Sequence, residues 1–254
     1  MDLPDRLRRF VVEPGAVPVE SALLSLAACR PGPPIDEQSA VATLDETAAT
    51  VVTPDVEGVC AAVFGHAGFA GDDADYHAAD NSLLDRVIAR RVGMPITLAV
   101  VVLAVARRVG VTVDPIGAPG HFLLHDPERG EYRDPFAGGQ RIDEGALRSA
   151  LDRSHPAAGA DRLLTPIGDD AIVSRVLNNL QNTYASRDAR GLDWVLAARL
   201  ALPPSLHGDP LVLATLCEQR GRYDDAAAIL ERLAERVGDD ELRRRARRLA
   251  VRLN

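Results

Sequence analysis

Between Gly93 and Gly110 lies a thirteen-residue run, Met94 to Ala106, in which Thr97 is the only polar side chain. It is well short of the ~20 apolar residues that a membrane span requires, so a folded chain has to bury it inside protein. Pro95 suits the first turn of a helix, where its missing N–H is not needed. Arg107 and Arg108 fall in the last turn and complement the helix dipole, and Gly110 follows as the C-terminal cap. The pattern predicts a central buried helix over Ile96–Ala106, around which the remaining elements are arranged.

Upstream, apolar spacing predicts helices over Val19–Cys29 and Asp36–Val52, separated by the turn Pro31-Gly32-Pro33-Pro34, and a third from about Pro54 to Phe64. Asn81-Ser82 is read as the cap of a helix carrying Leu83, Leu84, Val87 and Ile88 on one face. Downstream the period changes from helical to alternating. Val111–Val113, His121–Leu124 and Glu131–Arg133 read as short strands, with a hairpin-like loop at Asp126–Gly130 and a further helix from about Asp143. A helix packed against a small antiparallel sheet is an α+β core.

The best linker candidate is Pro156–Thr165, which divides the chain into 1–155 and 166–254. Leu211–Arg220, the turn Gly221–Asp224 and Ala226–Val237 place alanine and leucine as a tetratricopeptide unit does. A weaker copy near Val176-Leu177-Asn178 sets Leu177 and Leu211 one period of 34 apart. Two such units cannot make a long solenoid, so a helical cap is expected.

All 29 basic residues are arginine, which excludes a lysine nucleophile, a Schiff-base lysine and a phosphate-loop lysine. A formal charge of −8 argues against a nucleic-acid or anionic-membrane binder. Cys29, Cys60 and Cys217 form no C-x-x-C pair, and the start of the chain carries no apolar signal segment, so a reducing cytoplasm is expected. The acidic stretch Asp72, Asp73, Asp75 and Asp80, with His66 and His77, lacks the order of a calcium loop and the close His pair of a zinc site. It reads as a solvated loop, and neither metal nor cofactor is expected. Arg243, Arg244, Arg245, Arg247, Arg248 and Arg252 lie opposite Leu242, Ala246, Leu249, Ala250 and Leu253, the pattern of an amphipathic helix with a charged outer face. Trp194 reads as a packing residue.

Four blocks together carry a resemblance: Asn81-Ser82-Leu83-Leu84, Arg90-Arg91-Val92-Gly93-Met94-Pro95-Ile96-Thr97-Leu98, Pro119-Gly120-His121-Phe122-Leu123 and Arg133-Asp134-Pro135-Phe136. They resemble the transglutaminase-like core of bacterial SirB-type proteins, and Gly68-Phe69-Ala70-Gly71 with Tyr76 is similar to the loop that precedes it. The resemblance implies a papain-like core over roughly residues 19–150, a tetratricopeptide-like tail, and a catalytic set of Cys, His and Asp in the wider superfamily. It assigns the histidine to His121 and the aspartate to Asp134. It puts Pro95 where the cysteine stands.

Thr97 is the nearest hydroxyl to that position, and as a nucleophile it would need His121 directly against it, because a helix dipole alone cannot ionise a threonine. Two readings follow. In the first, the chain is a non-catalytic binding module for a protein or peptide, with a regulatory or scaffolding role. In the second, it is an amide hydrolase or acyltransferase using Thr97 or Cys60 with His121 as base and Asp134 as orienter. Direct DNA binding is not expected, since no recognition motif accompanies the net acidity. Whether the protein is an enzyme, and its oligomeric state, stay open on sequence alone.

Overall fold

The computed structural model describes residues 4–13 and 15–251, with backbone alone at 189 and 190. Helices α1 (Asp5–Val12), α2 (Val19–Ala27) and α3 (Glu37–Ala49) come first, the last capped by Asp36, which accepts the Ser39 amide at 2.9 Å. Helix α4 (Val56–Cys60) runs on into a π-helical turn at Ala61–His66. Two short parallel strands, β1 (Ala70–Gly71) and β2 (Val92–Gly93), flank α5 (Leu84–Arg90) and lead into α6 (Pro95–Arg108). A four-stranded antiparallel sheet follows in chain order, β3 (Asp114–Ile116), β4 (Leu123–Asp126), β5 (Glu131–Asp134) and β6 (Gln140–Ile142). The rest is helical: α7 (Glu144–Ser154), α8 (Ala160–Leu163), α9 (Asp169–Arg187), α10 (Ala189–Ala201), α11 (Pro210–Gln219), α12 (Tyr223–Val237) and α13 (Asp240–Val251).

These elements form two compact units, Pro4–Asn179 and the chain from Leu180 onward. In the first, α6 is the buried axis that its apolar run requires: Leu98, Val100, Val101, Val102 and Val105 are wholly enclosed. Pro95 is its first helical residue, and Gly110, at φ +74°, turns the chain left-handed just past its end. The terminal arginines do more than complement the dipole. Arg107 and Arg108 both pair with the buried Glu20 of α2, so a carboxylate that would be costly alone ties α2 to the axis.

The sheet begins later than the pattern of β-branched residues predicts. Val111 still completes the helix end, its amide bonding back to Ala106 O at 2.9 Å, and the ladder opens only at Asp114 opposite His125. His121 likewise precedes its strand, closing a turn on Ala118 O at 3.1 Å, because Pro119-Gly120 bends the chain until Leu123 takes up the pairing. The Asp126–Gly130 hairpin turn forms as read, with Asp126 Oδ1 accepting the Glu128 and Arg129 amides.

The stretch 156–165 packs into the first unit. Ala160 and Leu164 are buried with Ile116, Leu123, Tyr132 and Leu151, Asp152 accepts the Ala160 amide at 2.8 Å, and Ile167 N bonds to Pro115 O along the edge of β3. Its apolar side chains give it a place on the sheet, so the units part within α9 instead.

In the second unit, Leu196, Leu213, Ala214, Cys217, Leu230 and Ala246 share a core built from α10 to α13. Gly238, at φ +71°, separates α12 from α13, whose Ala246 and Leu249 face inward while Arg244, Arg247 and Arg248 are exposed. Arg252 and Leu253 of the basic-helix reading lie outside the described residues. Trp194 is buried, edge-on to Tyr184 at 6.0 Å between ring centroids. Among the described residues no helix is long and apolar enough to cross a membrane.

Two substitutions check that α6 carries the core. Leu98→Ala should destabilise the protein by about 2–5 kcal/mol in denaturant unfolding, whereas Val52→Ala should change it by less than about 0.5 kcal/mol, since Leu98 is 0% and Val52 94% exposed.

Candidate functional site

Of the residues that the sequence nominates for chemistry, Thr97 lies in the first turn of α6, Asp134 ends β5, His121 lies in the turn before β4 and Cys60 ends α4. Strands β1 and β2 prepare the tip, with Ala70 N on Arg91 O at 2.9 Å and Asp72 N on Gly93 O at 3.1 Å. Only glycine fits at 93, because a Cβ there would stand 2.9 Å from both Thr97 Oγ1 and Val87. Thr97 is fully buried. Its hydroxyl donates to Asn81 O at 2.7 Å, with Met94 O a second acceptor at 3.1 Å, and accepts the Met94 amide at 3.2 Å. The Met94 sulfur in turn accepts from Ser82 Oγ at 3.1 Å and Asn179 Nδ2 at 3.2 Å.

Asn81 and Ser82 therefore do not cap α5, whose N-cap is Leu83 with no side-chain bond. They face inward because the tip of α6 needs polar partners. Nor is the acidic stretch wholly solvated. Asp72 is buried, its Oδ1 accepting the Ala74 and Asp75 amides and its Oδ2 accepting from Asn81 Nδ2 at 3.0 Å and Arg90 Nη2 at 3.3 Å. Arg90 Nη1 closes the triangle on Asn81 Oδ1 at 3.1 Å. The Asp75 amide, then Asn81 and Arg90, hold the Asp72 carboxyl below its ordinary range. Among the described residues no three His, Cys, Asp or Glu side chains converge as metal ligands would.

Above this network lies a rim. The loop from Asp72 carries Tyr76 outward until its ring meets Phe136 edge-on at 5.5 Å. Phe136 lies on Gly71, where any Cβ would come within 2.6 Å of the ring. Asp134 ends β5, as read, but its Oδ1 turns into its own loop and accepts the Phe136 and Ala137 amides at 2.8 and 3.3 Å. His121 is exposed. Its backbone carbonyl, with that of Ala118, accepts from Arg175 Nη2 at 3.3 Å, and the Arg175 guanidinium stands 5.5 Å over the Phe122 ring. Arg175 and Asn179, one turn apart on α9, thus hold the His121 loop and the α6 tip respectively.

The structure brings His121 and Asp134 to this rim without joining them. Among the described residues the His121 ring has no hydrogen bond to Asp134, Thr97 or Cys60. Cys60 sits behind the β5–β6 turn, where a Cβ on Gly139 would come 3.0 Å from its sulfur and where Arg133 donates to Gly139 O. Burial pushes its thiol up to about 11, with the Arg133 charge opposing. A histidine–carboxylate pair does exist nearby, His125 Nδ1 to Asp114 Oδ2 at 3.2 Å with the imidazole against Tyr132 at 4.7 Å. Those two residues are directly opposed on β3 and β4. Sequence reading passed over this pair because a strand placed at 111–113 hides the register. It passed over Arg175 because a lone arginine within a helix carries no signal.

A buried helix whose tip is backed by a small antiparallel sheet, with a histidine loop and an aspartate at a strand end beside it, defines a transglutaminase-like core. The chain belongs to the transglutaminase-like superfamily, whose family model matches residues 37–178, more than half of its length. It is 33% identical over 184 residues to a UPF0162 protein of Xylella fastidiosa (strain Temecula1), covering 66% of this chain and 64% of that one, so it spans about two thirds of that relative. It is 37% identical over 187 residues to a UPF0162 protein of Pseudomonas aeruginosa, covering 68% of this chain and 69% of that one. A 56-residue stretch, 22% of this chain, is 43% identical to 9% of the F-box only protein 21 of Mus musculus. No solved structure matches the chain.

Two measurements check the network. Thr97→Val, which leaves Asn81 O without its buried donor, should cost about 1–3 kcal/mol in thermal or denaturant unfolding. Because the folded Asp72 titrates below the unfolded value of about 3.9, its stabilising effect is complete above that pH and is lost as the pH falls through the lower folded value. Asp72→Asn should therefore be less stable than the parent at pH 7 and should flatten the loss of stability below about pH 4.

Proposed function

We propose that the chain is a SirB-type protein whose transglutaminase-like core no longer performs acyl transfer and instead binds a protein or peptide, acting in the cytoplasm in a regulatory or scaffolding role. In this reading α11 and α12 are a tetratricopeptide-like hairpin of the tail. The observation that carries the proposal is the occupancy of the helix tip: Pro95 takes the first helical position, and the nearest hydroxyl, that of Thr97, is committed to Asn81 O at 2.7 Å inside the core. A threonine in that setting has neither a base nor access to a substrate.

The three thiols support the same reading. Burial raises Cys29, which leans on Ser25 O, and pushes Cys60 and Cys217 up to about 11. At neutral pH the Cys60 and Cys217 thiols are then ionised in only about one molecule in ten thousand, the reverse of what a nucleophile requires. The rim itself is open, with Tyr76 and His121 exposed beside Asp134 and Arg175, which suits recognition of an extended polar ligand.

The test is an assay with purified protein, a glutamine-containing peptide and an external fluorescent amine, necessary because the chain has no lysine to serve as acceptor. Neither amine incorporation nor peptide hydrolysis should exceed that of His121→Ala. Turnover abolished by Thr97→Val or Cys60→Ser would reverse the proposal. In parallel, selection from a displayed peptide library should yield ligands whose saturable binding weakens in His121→Ala or Tyr76→Phe; the absence of any such ligand would refute the binding role. In native protein at pH 8, iodoacetamide should label Cys29 first, and Cys60 and Cys217 only after unfolding, as their burial dictates.

A further inference from the structure

The rim contains one cation whose setting the fold alone does not account for. In the first unit the half-buried or buried arginines meet acids: Arg30 meets Asp85 at 3.3 Å, Arg108 meets Glu20 and Asp45, and Arg133 meets Glu131 at 3.4 Å. Arg175 is half-buried, and burial pulls its pKa down, yet among the described residues no carboxylate stands within ion-pair distance of it. Its Nη2 is spent on the carbonyls of Ala118 and His121, and its flat face covers Phe122. No protein acceptor takes Nη1 or Nε among the described residues. A half-buried guanidinium with three of its five N–H donors unspent among the described residues can take a ligand, since Arg presents a planar fork of donors matched to a carboxylate.

Two neighbours sharpen the chemistry. The Tyr76 ring packs edge-on against Phe136, two residues from Asp134, and its phenol feels the charges of both Arg175 and Asp134. Asp134 uses Oδ1 for the Phe136 and Ala137 amides, and its Oδ2 takes no donor among the described residues. The rim is therefore a dipole, a cation on the α9 side and an acceptor on the β5 side. We infer that Arg175 and Tyr76 form a receptor for the carboxylate of a peptide ligand, with Asp134 taking a neighbouring N–H. A chain terminus offers a carboxylate beside a main-chain N–H, and a glutamate or aspartate side chain offers the same anion on a longer arm. The inference rests on the binding reading above and names the chemistry of that site.

Arg175 could instead be a clip that only holds the His121 loop, and the experiment separates the two roles. The full chain, labelled with ¹⁵N, gives a side-chain Nε–Hε resonance for Arg175, identified by its loss in Arg175→Lys. N-acetyl-dialanine, its C-terminal amide and N-acetyl-alanyl-glutamyl-alanine amide are titrated in turn. The resonance should move saturably with a carboxylate-bearing peptide and stay still with the uncharged amide. Response to the free terminus alone assigns a chain end, and response to the glutamyl peptide assigns a side chain. Tyr76→Phe keeps the bonds of Arg175 to Ala118 and His121 and should weaken the response about tenfold. A resonance that stays still for all three probes up to about 50 mM, or moves equally for acid and amide, would overturn the inference and leave Arg175 a clip. Library ligands that bind without disturbing this resonance would sink the carboxylate site alone, whereas turnover would sink the functional reading beneath it.

Discussion

The Thr97 hydroxyl, held by the Asn81 carbonyl inside the protein, is the point at which the buried helix and its surroundings become one structure. A helix tip driven into a core leaves amide groups with no water to meet them, and each would be costly unpaired. Here Met94 and Thr97 cap the tip locally, and residues brought from a distance hold the Thr97 hydroxyl in place. Thr97 bonds Asn81, Asn81 bonds Asp72, and Arg90 closes on both. The Asp72 amide returns to Gly93 O, so the loop that carries Tyr76 is anchored two residues before the helix begins. Removing one member strands polar groups belonging to the others, which makes the network a single unit energetically.

That unit shows how the helix tip is completed with proline at its first position. The scaffold needs a satisfied helix tip, and a proline at the first position with a threonine three residues into the capping turn supplies it by local chemistry alone. The groups that position the rim are then free of the tip. Asn179 reaches the Met94 sulfur, and Arg175, one turn earlier, reaches the His121 loop. The fold thus sets a shaped rim beside a helix tip whose first residue is proline and whose nearest hydroxyl is buried.

The sequence makes the axis legible because its signals are local. The apolar run, Pro95 and Gly110 name the start, course and end of α6, and Asp36 and Asp143 mark the starts of α3 and α7. It is silent where an answer depends on which residues meet across the fold. Asn81-Ser82 has the composition of a cap, yet both side chains turn inward to partners at 72 and 94. The start of β3 depends on how far Gly110 and Val111 complete the preceding helix, a matter of backbone bonds and not of β-branched content. Asp72 looks like one acid among several in a polar loop, and only the closure of β1 on β2 shows that it is buried. His121 and Asp134 fall in the loop before β4 and at the end of β5, and their side-chain directions follow from Pro119-Gly120 and from the turn at Asp134, neither of which spacing can supply.

Placing a thiol at the tip would not by itself make an acyl-transfer site. A cysteine at the start of a fourteen-residue helix would gain thiolate character from the dipole, which addresses only one of the three requirements. A base must also lie against the sulfur, and the His121 loop is drawn toward α9 by the bonds from Arg175 while its imidazole faces solvent. The orienting acid must hold that imidazole, and Asp134 Oδ1 is engaged by two amides of its own turn at 2.8 and 3.3 Å. Freeing either residue means breaking bonds that shape the rim. The bonds that engage the His121 loop and Asp134 are therefore the same bonds that shape the rim on which Arg175 and Phe136 lie.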